Sequence, residues 1–338
     1  MAIDQPNPAM SEIAADARIA ADKRDIGATI AKADHRMLAQ DWRAAGAWYG
    51  AVGRLAGQGV AIIQGELLRA RDAALWLDAR YANMLLEGLN RVGLTRDERH
   101  PRFQQSLEIM LGRRTREPNY ERFPQLPQTY YYPGTHYCQF ADAADFAWRE
   151  GLQDEAPAIL AEAEALLADH ATFTPYVDHT AERPQGDVHG LLGNRDWSTW
   201  ELTDRGQPVP ERVARAPRAH AALTAQMPLC RISSRAPSLM FSLLRPKSRI
   251  PAHTGMINTR LICHLPLIVP PGCGFRVGSE TRHWEVGKLM VFDDTVEHEA
   301  WNDSTHDRLV LIFDVWRPEI SEVEREQIAM LFRVVDQG

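Results

Sequence analysis

The chain has 338 residues, 45% hydrophobic and 25% charged, with 38 basic against 45 acidic side chains and a formal net charge of −7. That composition fits a globular protein with room for two domains, and it leaves no sequence-wide attraction to nucleic acid or anionic membrane. Four scattered cysteines without a CxxC pair argue against a disulfide framework or a zinc ribbon, and no apolar run reaches the roughly eighteen residues of a membrane-spanning helix. The first thirty residues show no basic segment leading into an apolar one, so the expectation is a reduced, cytoplasmic protein without a secretory signal.

From Ser11 to Arg113 the chain is rich in Ala, Leu and Arg, with no proline between Pro8 and Pro101, and is expected to be helical. Leu38, Trp42, Ala45, Trp48, Val52 and Leu55 recur at helical spacing. The phrase MLAQDWRAAGAWYGAVGRLAGQG resembles a tetratricopeptide hairpin, so residues 1–113 are expected to form a repeat-like region able to bind a protein partner. Prolines and tyrosines crowd REPNYERFPQLPQTYYYPG, so residues 114–143 are expected to link this region to the next. Residues 144–338 then form the second domain, opening on a helix from about Ala144 to His170. After Ser238, the runs SLMFSLLRP, TRLICHLPLIV, GCGFRVGSE, RHWEVGKLMVF and RLVLIFDVW are short strands between Gly, Pro and Asp turns. The fold expected is α+β: a helical region followed by a double-stranded β-helix, or jelly roll, with flanking helices.

Two histidines stand out by position. His253 lies between predicted strands in RIPAHTGMINTR, and His298 follows the apolar run LMVF in FDDTVEHEAWND. They are too far apart for one helix face but natural for neighbouring jelly-roll strands. Arg308 opens RLVLIFDVW, where burying a cation demands an anionic partner, and its guanidinium fork matches a carboxylate. Two imidazoles for a metal and one arginine for an acid are the parts of a non-haem iron, 2-oxoglutarate oxygenase. His179 and His189 are expected to face solvent.

The segments FSLLRPKSRIPAHTG, NTRLICHLPLIVP, ETRHWEVGKLMVFDDTVEHEAWND and RLVLIFDVWRPEI, within Ser238 to Glu319, resemble the catalytic domain of the aspartyl/asparaginyl β-hydroxylase family. The resemblance implies Fe(II) held by His253 and His298, with 2-oxoglutarate as cosubstrate and O2 as oxidant. It implies that Arg308 pairs with the distal carboxylate of 2-oxoglutarate beside Ser242, and that His264 supports the other end. Arg260 matches an arginine able to serve an anionic substrate, and Trp197 a pocket-edge aromatic. Gly255 stands where most oxygenases of the wider class carry a metal-binding carboxylate, a gap the family shares. Asp293, Asp294 and Glu297 are candidate acceptors near that gap. Hydroxylases acting on aspartyl residues carry a second arginine two positions after the first, where this chain has Ile262.

The expected activity is hydroxylation of an unactivated C–H bond in a peptide, an amino acid or a related small molecule, with succinate and CO2 as coproducts. Two alternatives stay open at this point. An empty carboxylate position also describes iron halogenases, and a catalytically silent jelly roll could serve beside a helical scaffold. No nucleic-acid or membrane partner is expected.

Overall fold

The computed structural model describes residues 6–168, 173–177, 190–233 and 235–337. These fall into two compact units that divide at Gly88. His179 and His189 lie outside the described residues.

The first unit contains helices α1 (Glu12–Ala21), α2 (Ile26–Leu38), α3 (Trp42–Gly57) and most of α4 (Gln64–Arg91). Aspartates start two of them. Asp25 accepts from the Ala28 amide and Asp41 from the Ala44 amide, filling donors that a helix start leaves unpaired. Ile30, Met37, Trp48, Val52 and Leu77 make its core, with alanines where the helices cross. Asp34 is fully buried and is held by the Tyr49 hydroxyl at 2.5 Å and Arg69 at 2.8 Å. Helical character over this stretch agrees with the sequence.

The second unit takes in residues 89–113 as well, so its boundary lies upstream of the one the sequence pointed to. After α5 (Pro101–Met110), the Pro/Tyr-rich stretch is no free linker. The Leu126 amide donates to Thr295, and the amides of Gln128 and Thr129 donate to Gly255 and Met256. Tyr130 and Tyr132 are buried. Prolines keep this stretch out of a regular ladder, but its remaining amides find carbonyls on distant loops, which sequence periodicity does not report.

Two sheets face each other in this unit. The larger one contains β1 (Phe140–Ala141), β2 (Thr174–Pro175), β3 (Trp197–Glu201), β6 (Leu239–Leu244), β8 (Arg260–Ile268), β11 (Met290–Phe292) and β13 (Arg308–Trp316), in the order β1-β11-β8-β13-β6-β3-β2. A hairpin of β4 (Thr203–Asp204) and β5 (Gln207–Pro208) stands beside it. The smaller sheet runs β10-β9-β12-β7, from β7 (Ser248–His253), β9 (Cys273–Val277), β10 (Glu280–Arg282) and β12 (His298–Asn302). This two-sheet architecture is the expected jelly roll.

Strand alternation sorts the side chains. Odd-numbered residues of β6, β8 and β13, such as Phe241, Leu265 and Leu311, pack with Leu152 and Ile159 of α6 (Arg149–Ala168). Leu223 joins them from a later helix that spans Pro217–Gln226, which follows the short α7 (Pro210–Val213) and is α8 here. The even-numbered residues of the same strands face the smaller sheet. A C-terminal helix, α9 (Glu322–Gln337), closes the chain. No helix among the described residues is long and apolar enough to cross a membrane.

Candidate active site

Between the sheets lies a cavity of about 270 Å³. Its floor is read from the alternation: Arg308, Ile312 and Asp314 from β13, Arg260, Ile262 and His264 from β8, Met240 and Ser242 from β6. His253 ends β7 and His298 begins β12, and the two are cross-strand partners with a bulge immediately after. Their ring centroids are 4.2 Å apart. Both rings are oriented by backbone: His253 Nδ1 lies 2.8 Å from the Pro251 carbonyl, and His298 Nδ1 lies 3.0 Å from that of Val296. A carbonyl only accepts, so each Nδ1 carries a proton, which makes Nε2 the nitrogen of each ring able to serve as a ligand. Burial pushes His298 down to about 3, with His253 adding to the effect, so it is a neutral imidazole at pH 7.

The other expected residues gather at one end of this cavity. Arg308 is 1% exposed, and among the described residues no carboxylate pairs with it. Its Nη1 donates to the Ser242 carbonyl at 3.3 Å, its Nε has no partner, and its guanidinium lies 5.0 Å from the Trp284 ring centre. Burial lowers it only to about 10, so the charge persists at neutral pH. The Trp197 indole donates to Ser242 Oγ at 3.2 Å, which leaves the hydroxyl proton of Ser242 to donate elsewhere. The Trp284 indole donates to His264 Nδ1 at 3.2 Å, making Nε2–H the donor of that ring. Burial holds His264 well below its ordinary value, with Arg308 reinforcing the effect, so the ring is neutral.

The opposite end is arranged differently. Arg260 reaches Asp314 at 3.0 Å and Asp294 at 3.5 Å. Asp314 is fully buried, and its other oxygen accepts from the Ser238 amide at 2.6 Å. Burial opposes the charge on Arg260, but Asp314 and Asp294 outweigh it and keep the guanidinium protonated. Burial pushes Asp294 up to about 6, with Arg260 pulling the other way. Thus Arg260 lines the cavity as expected, with its charge already balanced. Of the three acidic residues proposed near the histidines, only Asp294 enters the cavity. Asp293 turns toward Arg317, and Glu297 pairs with Arg276 at 3.0 Å.

Among the described residues no cluster of three His, Cys, Asp or Glu side chains would hold a metal ion. The donors present nevertheless suit one. Two imidazoles line one cavity, each with Nδ1 turned to a backbone carbonyl, and a Cβ at position 255 would collide with the Asp294 carboxylate, whose Oδ1 is buried without a partner. A two-nitrogen site with an unsatisfied acidic oxygen beside it fits a cation that keeps most of its coordination positions for water and substrate.

A buried polar network fixes this arrangement. Asp293 accepts from Gln125, from Thr295 and from Arg317. Arg317 donates to Asn258 at 2.8 Å, and Asn258 donates to Tyr132 at 2.9 Å. The network joins the loop after His253, the loop before His298 and the Pro/Tyr-rich stretch. Sequence reasoning missed Gln125, Asn258, Trp284, Asp314 and Arg317. The available signal was charge inside apolar runs, as in LIFDVWRPE.

Residues 153–318 match the family model described as Aspartyl/Asparaginyl beta-hydroxylase. An aspartyl/asparaginyl beta-hydroxylase from Mus musculus is 37% identical over 136 residues, covering 39% of this chain and 18% of the mouse protein. An ornithine lipid ester-linked acyl 2-hydroxylase from Rhizobium tropici is 32% identical over 183 residues, covering 52% of this chain and 60% of that protein. The chain therefore spans less than two thirds of either relative. Among solved structures, a Pseudomonas putida prolyl-4-hydroxylase overlaps 49% of this chain and 88% of its own at 16% identity and a TM-score of 0.29, a likeness too distant to carry an argument. The sequence matches make residues 153–318 similar to the aspartyl/asparaginyl β-hydroxylase family.

Proposed function

We propose that the protein is an Fe(II)- and 2-oxoglutarate-dependent dioxygenase that hydroxylates an unactivated C–H bond, with succinate and CO2 as coproducts. The observation that carries this reading is Arg308: a buried guanidinium with no carboxylate among the described residues, in the same cavity as two paired histidines. Such a charge is costly unless a ligand anion completes it.

His253 and His298 would hold Fe(II), which when bound supplies the activation of O2 and the oxidising power for C–H cleavage. Arg308 and the Ser242 hydroxyl would take the distal carboxylate of 2-oxoglutarate, fixing which way the cosubstrate lies. His264, donating from Nε2, would serve an oxygen at its other end. Trp284 orients both His264 and Arg308, and Phe275 and Phe292 against His298 help to exclude water. Asp294, whose carboxylate occupies the space that the missing side chain of Gly255 leaves, would stand beside the metal as a hydrogen-bond acceptor. Overall, substrate C–H, O2 and 2-oxoglutarate give C–OH, succinate and CO2.

Asp294 also bears on halogenation. A halide needs the space beside the histidines, and a buried carboxylate standing over Gly255 disfavours an anion there. The silent-scaffold reading leaves Arg308 with nothing to balance it. The test is succinate release from 2-oxoglutarate with added Fe(II). It is expected to need the metal and to stop in His253→Ala and His298→Ala, and normal turnover in both variants would refute the assignment.

A further inference from the structure

We infer that the substrate presents an uncharged aliphatic group to the cavity, joined to an amide or ester carbonyl, and not the carboxylate that an arginine pair would take. This inference rests on the oxygenase reading above and names the substrate class of that same site.

The first ground is that the substrate end carries no spare positive charge. Arg260 is bound to Asp314 and Asp294, so an incoming carboxylate would have to break a buried ion pair and then sit beside two carboxylates. The second ground is position 262. Its side chain faces the same cavity, opposite Asp314 in register, and it is isoleucine. The third is the surrounding surface. Tyr176 stacks on Trp197 with centroids 4.2 Å apart, and Met240, Met256 and Ile312 complete an apolar wall. Methionine and a rim aromatic accommodate aliphatic chains of varied shape. An unpartnered donor lies beside this wall. The Nε of Arg260 is buried without a hydrogen-bond partner, a donor suited to a neutral carbonyl oxygen.

An aliphatic chain next to a carbonyl occurs in an apolar amino-acid residue and in an acyl ester. Calorimetry on the full chain, loaded with Mn(II) so that no turnover occurs, separates these sources. Three probes are titrated in the presence of 2-oxoglutarate: N-acetyl-leucine methylamide, its isostere N-acetyl-aspartic acid methylamide, and methyl hexanoate. At least one neutral probe is expected to bind about tenfold or more tighter than the aspartate probe. The one that does identifies the source. Equal or tighter binding of the aspartate probe overturns the inference, as does failure of both neutral probes. A prior titration with 2-oxoglutarate alone keeps the two levels apart: if it does not bind, the oxygenase reading falls and this inference with it. Asp314→Asn supplies a second test by releasing Arg260. Its affinity for the aspartate probe is expected to rise about tenfold. If the variant folds, shown by cooperative thermal unfolding, and the affinity does not rise, the inference is wrong; if it does not fold, the wild-type comparison decides.

Discussion

Two arginines line one cavity and have opposite electrostatic situations. Arg308 opens β13 and Arg260 lies near its other end, opposite Trp316 in register, so about 26 Å of strand separates them. Arg308 faces aromatics, a hydroxyl and a backbone carbonyl, and among the described residues nothing neutralises it. Arg260 is neutralised twice. The difference teaches that a cation in a pocket marks an anion site only when the protein has left its charge unpaired. By that criterion the cavity has one anion-binding end and one end that is already balanced.

Replacing the histidines affects both ends, so His298→Ala is expected to give the largest effect: metal-dependent succinate release should disappear and Mn(II) binding should fall with it. Metal binding retained at wild-type strength would separate His298 from the metal. The arginines should then part company. Arg260→Met leaves Asp314 and Asp294 buried without a cation, which is expected to cost about 3–5 kcal/mol in denaturant unfolding at pH 7. Arg308→Met removes a charge that has no partner, so the ligand-free protein should lose no stability, while affinity for 2-oxoglutarate falls about 100-fold, the worth of a bidentate charged contact. Similar stability losses in the two variants would erase the contrast.

Glu324, remote from the cavity, shows what a satisfied buried carboxylate does. Burial raises its pKa, but Arg102 at 2.7 Å, Ser321 and Tyr132 outweigh that and hold it at about 2. A depressed pKa contributes stability that is complete above the ordinary carboxylate value and lost as pH falls toward the folded one. Glu324→Gln should therefore cost about 1.5–3 kcal/mol at pH 7, and the gap should narrow between pH 4.5 and 2. A gap independent of pH would mean that the ionised form is not what the fold uses.

Much of this was legible in the sequence. The runs around β6, β8 and β13 announced themselves through length and apolar content, and EHEAWN and LIFDVWRPE pointed to the family. The strands that carry the histidines were harder to see. SRIPAH and HEAWN mix charge, proline and apolar residues, and their alternation becomes meaningful only once one face is known to look into a cavity. For β13, which is apolar on both faces, the alternation was hidden, so Asp314 passed as an ordinary strand residue although its side chain decides what Arg260 can do. The packing of 122–137 against both histidine loops joins residues more than a hundred positions apart, and no local pattern encodes such pairings.

The central claim is that the paired histidines and the unpaired Arg308 together hold Fe(II) and 2-oxoglutarate. The most direct test is anaerobic titration of 2-oxoglutarate into the Fe(II)-loaded full chain, followed by the visible charge-transfer absorption that arises when a 2-oxo acid chelates iron. The account predicts a saturable band in the wild type, none in His298→Ala, and a midpoint shifted to about 100-fold higher concentration in Arg308→Met. A wild-type protein that binds Fe(II) yet gives no band, or an Arg308→Met variant that titrates like the wild type, would contradict it.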